Sequence, residues 1–170
     1  LNNFYDIKAV NSRKEEVSMN AYKGKPLLIV NVASNCVFSK QYKLLEEIYQ
    51  KYKGRGLNVL AFPSNDHGNQ EPGSLDEIIN FCHSNFNVSF EIFNKIHTVG
   101  IRRHPLFSWL VNHSEDQRDI KWNFEKFIIS RDGKLVQRFE STVRPTNPKI
   151  TSLIENLIKD NGAQKYDGRV

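Results

Sequence analysis

A thiol placed where a strand gives way to a helix is the most reactive feature of this chain. Cys36 lies in Asn31-Val-Ala-Ser-Asn-Cys36-Val-Phe-Ser39, where an apolar run ends and a helical pattern begins. A thiol attacks as thiolate, and the first N–H groups of a helix, with the positive end of its dipole, favour negative charge there. Loops carry chemistry where strands carry packing, so a cysteine at this junction reads as a nucleophile before it reads as core. The other thiol, Cys82, shares a face with Ile78 and Ile79 at i, i+3 and i, i+4 spacing, which reads as a buried core cysteine. None of the five histidines, His67, His83, His97, His104 and His113, stands at metal-ligand spacing with cysteines or carboxylates, so no metal site is expected. His67, in a long polar loop, is a candidate to touch substrate, although a solvated loop histidine is the plainer reading. Lys121 is a second substrate-proximal candidate.

The elements that must position Cys36 follow from pattern. Pro26–Ala33 is nearly all apolar, as a strand buried on both faces requires. Tyr42, Leu45, Tyr49 and Tyr52 recur at helical spacing up to Gly54, and Leu57–Phe62 supplies the next strand. Strand, helix and strand make a βαβ unit, with a parallel sheet and a right-handed crossover. The polar loop from Pro63 to Gly73 is long enough to expect function there. Ser74-Leu-Asp-Glu77 is a capping box opening a helix to about Asn85. Phe90–Phe93 reads as a third strand or extended loop, and Pro105 starts a short helix through Val111. Phe127–Ser130, Asp132-Gly133 and Leu135–Phe139 read as a hairpin with a two-residue turn. Asn147-Pro148 starts a last helix with Ile150, Leu153, Ile154, Leu157 and Ile158 on one face. Ahead of all this, Phe4–Val10 and Glu16–Met19 suggest a short hairpin around Asn11-Ser12. With no repeat or linker, residues 1–170 read as one α/β domain of thioredoxin-like fold: a central mixed sheet flanked by helices, plus an extra N-terminal β-hairpin. A thiol after the first core strand is the expected active position of that arrangement, and Cys36-Val-Phe-Ser39 is a Cys-x-x-Ser, so thiol–disulfide exchange is one function open to it.

Three segments point further. Asn31-Val-Ala-Ser-Asn-Cys36, Phe62-Pro-Ser-Asn65 with Gly68-Asn-Gln-Glu-Pro-Gly73, and Trp122-Asn-Phe-Glu-Lys-Phe127 resemble the glutathione peroxidase family over nearly the whole chain. The resemblance implies a catalytic tetrad at Cys36, Gln70, Trp122 and Asn123. It also implies a thiol peroxidase that reduces hydrogen peroxide and organic or lipid hydroperoxides through a Cys36 sulfenic acid. Glutathione, or a protein thiol of the thioredoxin or disulfide-isomerase type, would then reduce that acid. The residue types suit that chemistry. An indole N–H and two side-chain amides are neutral donors, able to favour a thiolate and a departing oxygen without competing as nucleophiles. No cofactor beyond the reducing co-substrate is implied. Two-cysteine members carry a resolving cysteine near Cys82, which makes Cys82 a candidate for that role as well as for the core.

The chain departs from the family in two places. Val37 stands where the family has Gly, and a β-branched residue disfavours positive φ, so the turn either needs no glycine or differs in shape. Ser64 stands where some members have a cysteine and cannot form a disulfide. Only 11 residues separate Leu110 from Trp122, so the resemblance is to the monomeric, phospholipid-hydroperoxide type without the oligomerisation loop.

The formal charge of +5 is spread among alternating acidic and basic residues with no arginine-rich block, which argues against a nucleic-acid partner. Transient contact with a membrane surface is expected of an enzyme open to lipid hydroperoxides. Two cysteines are too few for a disulfide scaffold. Asn87-Val-Ser and Asn112-His-Ser match the glycosylation acceptor pattern, and the family branch most similar to this chain is luminal. The endoplasmic-reticulum lumen is therefore the expected compartment, with the cytoplasm as the alternative.

Overall fold

The computed structural model describes residues 3–159. Its centre is a five-stranded sheet in the order β5-β4-β3-β6-β7. β3 (Leu27–Val32) pairs in parallel with β4 (Asn58–Pro63), which pairs in parallel with β5 (Glu91–Ile92). On its other side β3 runs antiparallel to β6 (Lys126–Ile129), which pairs antiparallel with β7 (Leu135–Phe139). This is the expected mixed thioredoxin-like sheet. All six residues of β3 are buried because alternate side chains enter different layers. Leu28, Val30 and Val32 pack with α1 (Gln41–Tyr52), α2 (Leu75–Phe86) and α4 (Pro148–Lys159), whereas Leu27 and Ile29 pack with α3 (Pro105–Asn112) and the N-terminal segment.

Two local expectations are corrected. The N-terminal hairpin exists as β1 (Lys8–Val10) and β2 (Glu16–Ser18), but Phe4–Asp6 is a 3-10 turn capped by the Asn3 side chain and Met19 opens another such turn. The β6–β7 connection is not a two-residue turn. Ser130 N–H donates to Lys134 O, Gly133 N–H donates to Ser130 O, and of the turn residues Gly133 alone has positive φ, +79°. That is a three-residue loop with glycine at its left-handed position, since a two-residue type I′ turn needs positive φ at both central residues. α1 ends at Tyr52, where the helix was expected to end, and a 3-10 turn carries the chain to Gly56 at φ +108°. The capping box at Ser74 forms as expected, with both reciprocal hydrogen bonds present. Asn147 Oδ1 likewise accepts from Lys149 N–H at the start of α4.

Candidate active site

β3 delivers the chain to Cys36 through Ser34 and Asn35. Cys36 is in the extended region (φ −76°, ψ 145°) and caps a four-residue 3-10 turn, Val37–Lys40, that precedes α1. Its Sγ accepts a hydrogen bond from Phe38 N–H at 3.3 Å, the one hydrogen bond to that sulfur among the described residues. The expected helix N-terminus is therefore this local turn, and the N–H beside sulfur belongs to it rather than to α1. Val37 lies inside the turn without a positive φ, so no glycine is required there; its side chain is 80% exposed while Cys36 is 3% exposed.

The loop after β4 and the segment before β6 meet beside this turn. Asn123 is fully buried and donates from Nδ2 to His67 O at 3.2 Å and to Gln70 Oε1 at 3.3 Å. Gln70 O accepts from Asn35 N–H at 2.9 Å, which ties the loop to the residue before Cys36. Trp122 packs over Gly68 so closely that a Cβ there would stand 2.6 Å from the indole, and Gly68 has φ +73°. Trp122 also belongs to the apolar cluster that contains Cys36. The structure thus gathers Gln70, Trp122 and Asn123 around the Cys36 turn, although none of the three donates to Sγ. The Asn123 bond fixes which way the Gln70 amide faces, and both Gln70 Nε2 and the Trp122 indole N–H have no acceptor among the described residues.

Several residues behave differently from expectation. His67 is not a solvated loop histidine: it is 6% exposed, Nε2 lies 2.8 Å from Thr98 Oγ1, and burial holds its pKa below the usual value. Its ring stands edge-on to Trp122 with centroids 6.5 Å apart. Ser64, where a cysteine could have stood, is buried against Thr98. The Lys121 side chain is exposed and makes no hydrogen bond or ion pair among the described residues; its backbone N–H donates to Glu125 Oε2. Cys82 is fully buried in α2, and both thiols are free. Among the described residues no group of three or more His, Cys, Asp or Glu side chains is placed to hold a metal ion. A cavity of about 500 Å³ lies between residues 113–118 and β7, away from all four residues, while one of about 280 Å³ adjoins the Cys36 turn at Ser34, Asn35, Glu71 and Phe81.

Pattern reading missed the buried polar residues that hold these segments. Asn31, Glu125 and Lys126 are each no more than 1% exposed. Glu125 receives Arg118 and Arg138, and Lys126 Nζ donates to Ser141 O at 2.9 Å, with its pKa brought down to about 7 by burial. A signal existed for Asn31, since it is the single polar residue in a strand otherwise wholly apolar.

Known proteins resemble the chain along nearly its whole length. The family model described as Glutathione peroxidase matches residues 4–111. A glutathione peroxidase of Lactococcus lactis is 44% identical over 145 residues, covering 84% of this chain and 92% of the relative. The hydroperoxy fatty acid reductase gpx1 of Synechocystis is 40% identical over 165 residues, covering 92% and 96%. Among solved structures, Trgpx in apo form superposes with a TM-score of 0.77 at 36% identity, covering 95% of this chain and 99% of that one.

Proposed function

The chain belongs to the glutathione peroxidase family, and from that premise we propose how its residues divide the work of a thiol peroxidase. The reaction reduces hydrogen peroxide and organic hydroperoxides at a cysteine. Cys36 thiolate attacks the terminal peroxide oxygen; an S–O bond forms as the O–O bond breaks. Sulfur is oxidised to sulfenic acid, and the departing alkoxide or hydroxide takes a proton that derives from solvent. One thiol then condenses with Cys36-SOH, releasing water and forming a mixed disulfide, and a second thiol resolves it to the free cysteine and an oxidised dithiol.

In our assignment Gln70 and Trp122 present their open N–H groups to the reacting oxygens, and Asn123 holds the Gln70 amide in the orientation that allows this. Preorganised donors act on the charge that develops in the transition state. The observation that carries the reading is the convergence of Asn123 on both His67 O and Gln70 Oε1, one residue after Trp122 and directly against the Cys36 turn. The name of the Synechocystis relative supports lipid hydroperoxides among the substrates, and the short Leu110–Trp122 connection supports a monomer able to approach a membrane surface. We place the enzyme in the endoplasmic-reticulum lumen on its two sequons, whose Asn87 and Asn112 are both exposed. A mobility shift on glycosidase digestion of the protein from its native cells would support that compartment, and an unmodified protein would favour the cytoplasm.

The test is stopped-flow oxidation of the reduced protein by hydrogen peroxide and by a fatty acid hydroperoxide, with insulin-disulfide reduction as the counter-assay. Fast peroxide consumption with negligible insulin reduction is expected. The reverse pattern would make Cys36-x-x-Ser39 an exchange site instead.

A further inference from the structure

Asn31 is fully buried near the end of β3 and is used at every polar atom it offers to the segment before β6. Its Nδ2 donates to Trp122 O at 3.0 Å, and its Oδ1 accepts from Glu125 N–H at 3.0 Å. Its backbone carbonyl accepts from Phe124 N–H at 2.6 Å. These three hydrogen bonds bracket Phe124, whose φ of +66° lies in the left-handed region that bulky residues avoid. Such a conformation persists where its surroundings over-determine it, and it collects at functional sites. The Phe124 ring is fully buried, edge-on to Tyr42 at 5.3 Å, so the turn is pinned at its side chain as well as its backbone. An apolar residue at position 31 would fill the strand but leave the buried Glu125 N–H, and Trp122 O, without these partners.

We propose that Asn31 is a positioning residue for the peroxide step. Its side-chain amide fixes the Trp122–Glu125 turn against β3, and the same strand leads into the turn at Cys36, five residues after Asn31. One buried amide thereby sets the register between the nucleophile and the donors on Trp122 and Asn123. Asn31 itself is too deep to touch a substrate and acts through these residues. The inference rests on the reading of Trp122 and Asn123 as site residues.

The experiment compares the parent, Trp122→Phe, Asn31→Asp, Asn31→Ser and the Asn31→Asp/Trp122→Phe double variant, each checked for folding by circular dichroism. Two single-turnover rates are read for Cys36: oxidation by hydrogen peroxide and alkylation by iodoacetamide at the same pH. Iodide leaves without a proton, so alkylation follows the thiolate and its access, whereas the peroxide step also needs the donors in place. Asn31→Asp keeps the acceptor for Glu125 N–H and removes the donor to Trp122 O. It is expected to slow peroxide oxidation by about 10- to 100-fold, the scale of misplacing one preorganised donor, with alkylation little changed. The double variant should be no slower than the slower single, because both changes disable the same group. A folded Asn31→Asp as fast as the parent beside a slow Trp122→Phe overturns the clamp, and so do additive slowdowns. A Trp122→Phe as fast as the parent instead overturns the donor reading on which the clamp depends. Where Asn31→Asp does not fold, Asn31→Ser carries the same measurements; failure of both to fold assigns Asn31 to the fold and overturns the proposal.

Discussion

The two cysteines are almost equally hidden, 3% exposed at Cys36 and fully buried at Cys82, yet their surroundings differ in kind. Cys36 stands at the exit of a strand, takes an N–H from its own turn, and is followed by a residue that is 80% exposed. Polar loop residues gather beside it. Cys82 lies within a capped helix, with Ile78 on its face and Tyr42 across from it, and burial pushes its thiol up to about 12. Exposure therefore does not separate the proposed nucleophile from the thiol read as core. What separates them is a backbone N–H on the sulfur, and whether the neighbouring chain is loop or helix.

The comparison breaks at once if the nucleophile is elsewhere. Cys36→Ser should abolish peroxide turnover while circular dichroism stays that of the parent, since a hydroxyl does not ionise here and cannot cycle through a sulfenic acid. Peroxide consumption retained by the purified variant would move the reaction away from β3. A smaller effect tests the donors. Trp122→Phe and Gln70→Ala should each slow single-turnover oxidation of Cys36 by about 10- to 1,000-fold, the range for losing one preorganised donor. Rates equal to the parent would leave the Cys36 turn alone responsible for its reactivity.

Much of this contrast was legible in the sequence. The apolar run before Cys36, the capping box at Ser74 and the Ile78/Ile79/Cys82 face are local patterns, and the structure keeps all three. The 3-10 turn after Cys36 was not legible, because a helical period read over several turns does not resolve four residues at its entrance. His67 misled for another reason. Its burial comes from Thr98 and Trp122, partners 31 and 55 residues away, and a polar loop sequence carries no sign of them. Asn31 was visible as a polar interruption in an apolar strand, but its role depended on a turn 91 residues further along the chain.

Cys82 sharpens the comparison from the other side. Cys82→Ala should leave the rate of Cys36 oxidation within about twofold of the parent and lower stability by about 1 kcal/mol through lost packing. Turnover with a small thiol reductant should likewise be nearly unchanged. A large fall in the first oxidation step would show that Cys82 supports the site and is not merely core. An intramolecular Cys36–Cys82 disulfide after one equivalent of peroxide would show that α2 opens once Cys36 is oxidised, making Cys82 the resolving thiol.

The pH dependence of that stability difference tests the same burial. The Cys82 thiol ionises near 12 in the folded protein, against an ordinary value of 9.0 when exposed. Between these values the unfolded chain has released the proton and the folded chain still holds it, so the unfolded state binds fewer protons and stability falls as pH rises. The contribution is fully present below pH 9 and is lost progressively toward pH 12. Each pH unit inside that window removes about 1.4 kcal/mol. Lys126 works in the opposite sense: burial lowers it to about 7 from 10.5, so the unfolded chain binds the extra proton and stability rises with pH across that interval. Lys126 is present in both proteins, and its contribution cancels when the parent is compared with Cys82→Ala. In urea unfolding at pH 8 the parent should be the more stable of the two by about 1 kcal/mol, and at pH 10 that difference should have fallen by about 1.4 kcal/mol, which removes the advantage and tips it slightly toward Cys82→Ala. A gap that stays constant between the two pH values would mean that the Cys82 thiol ionises in the helix as it does in the unfolded chain.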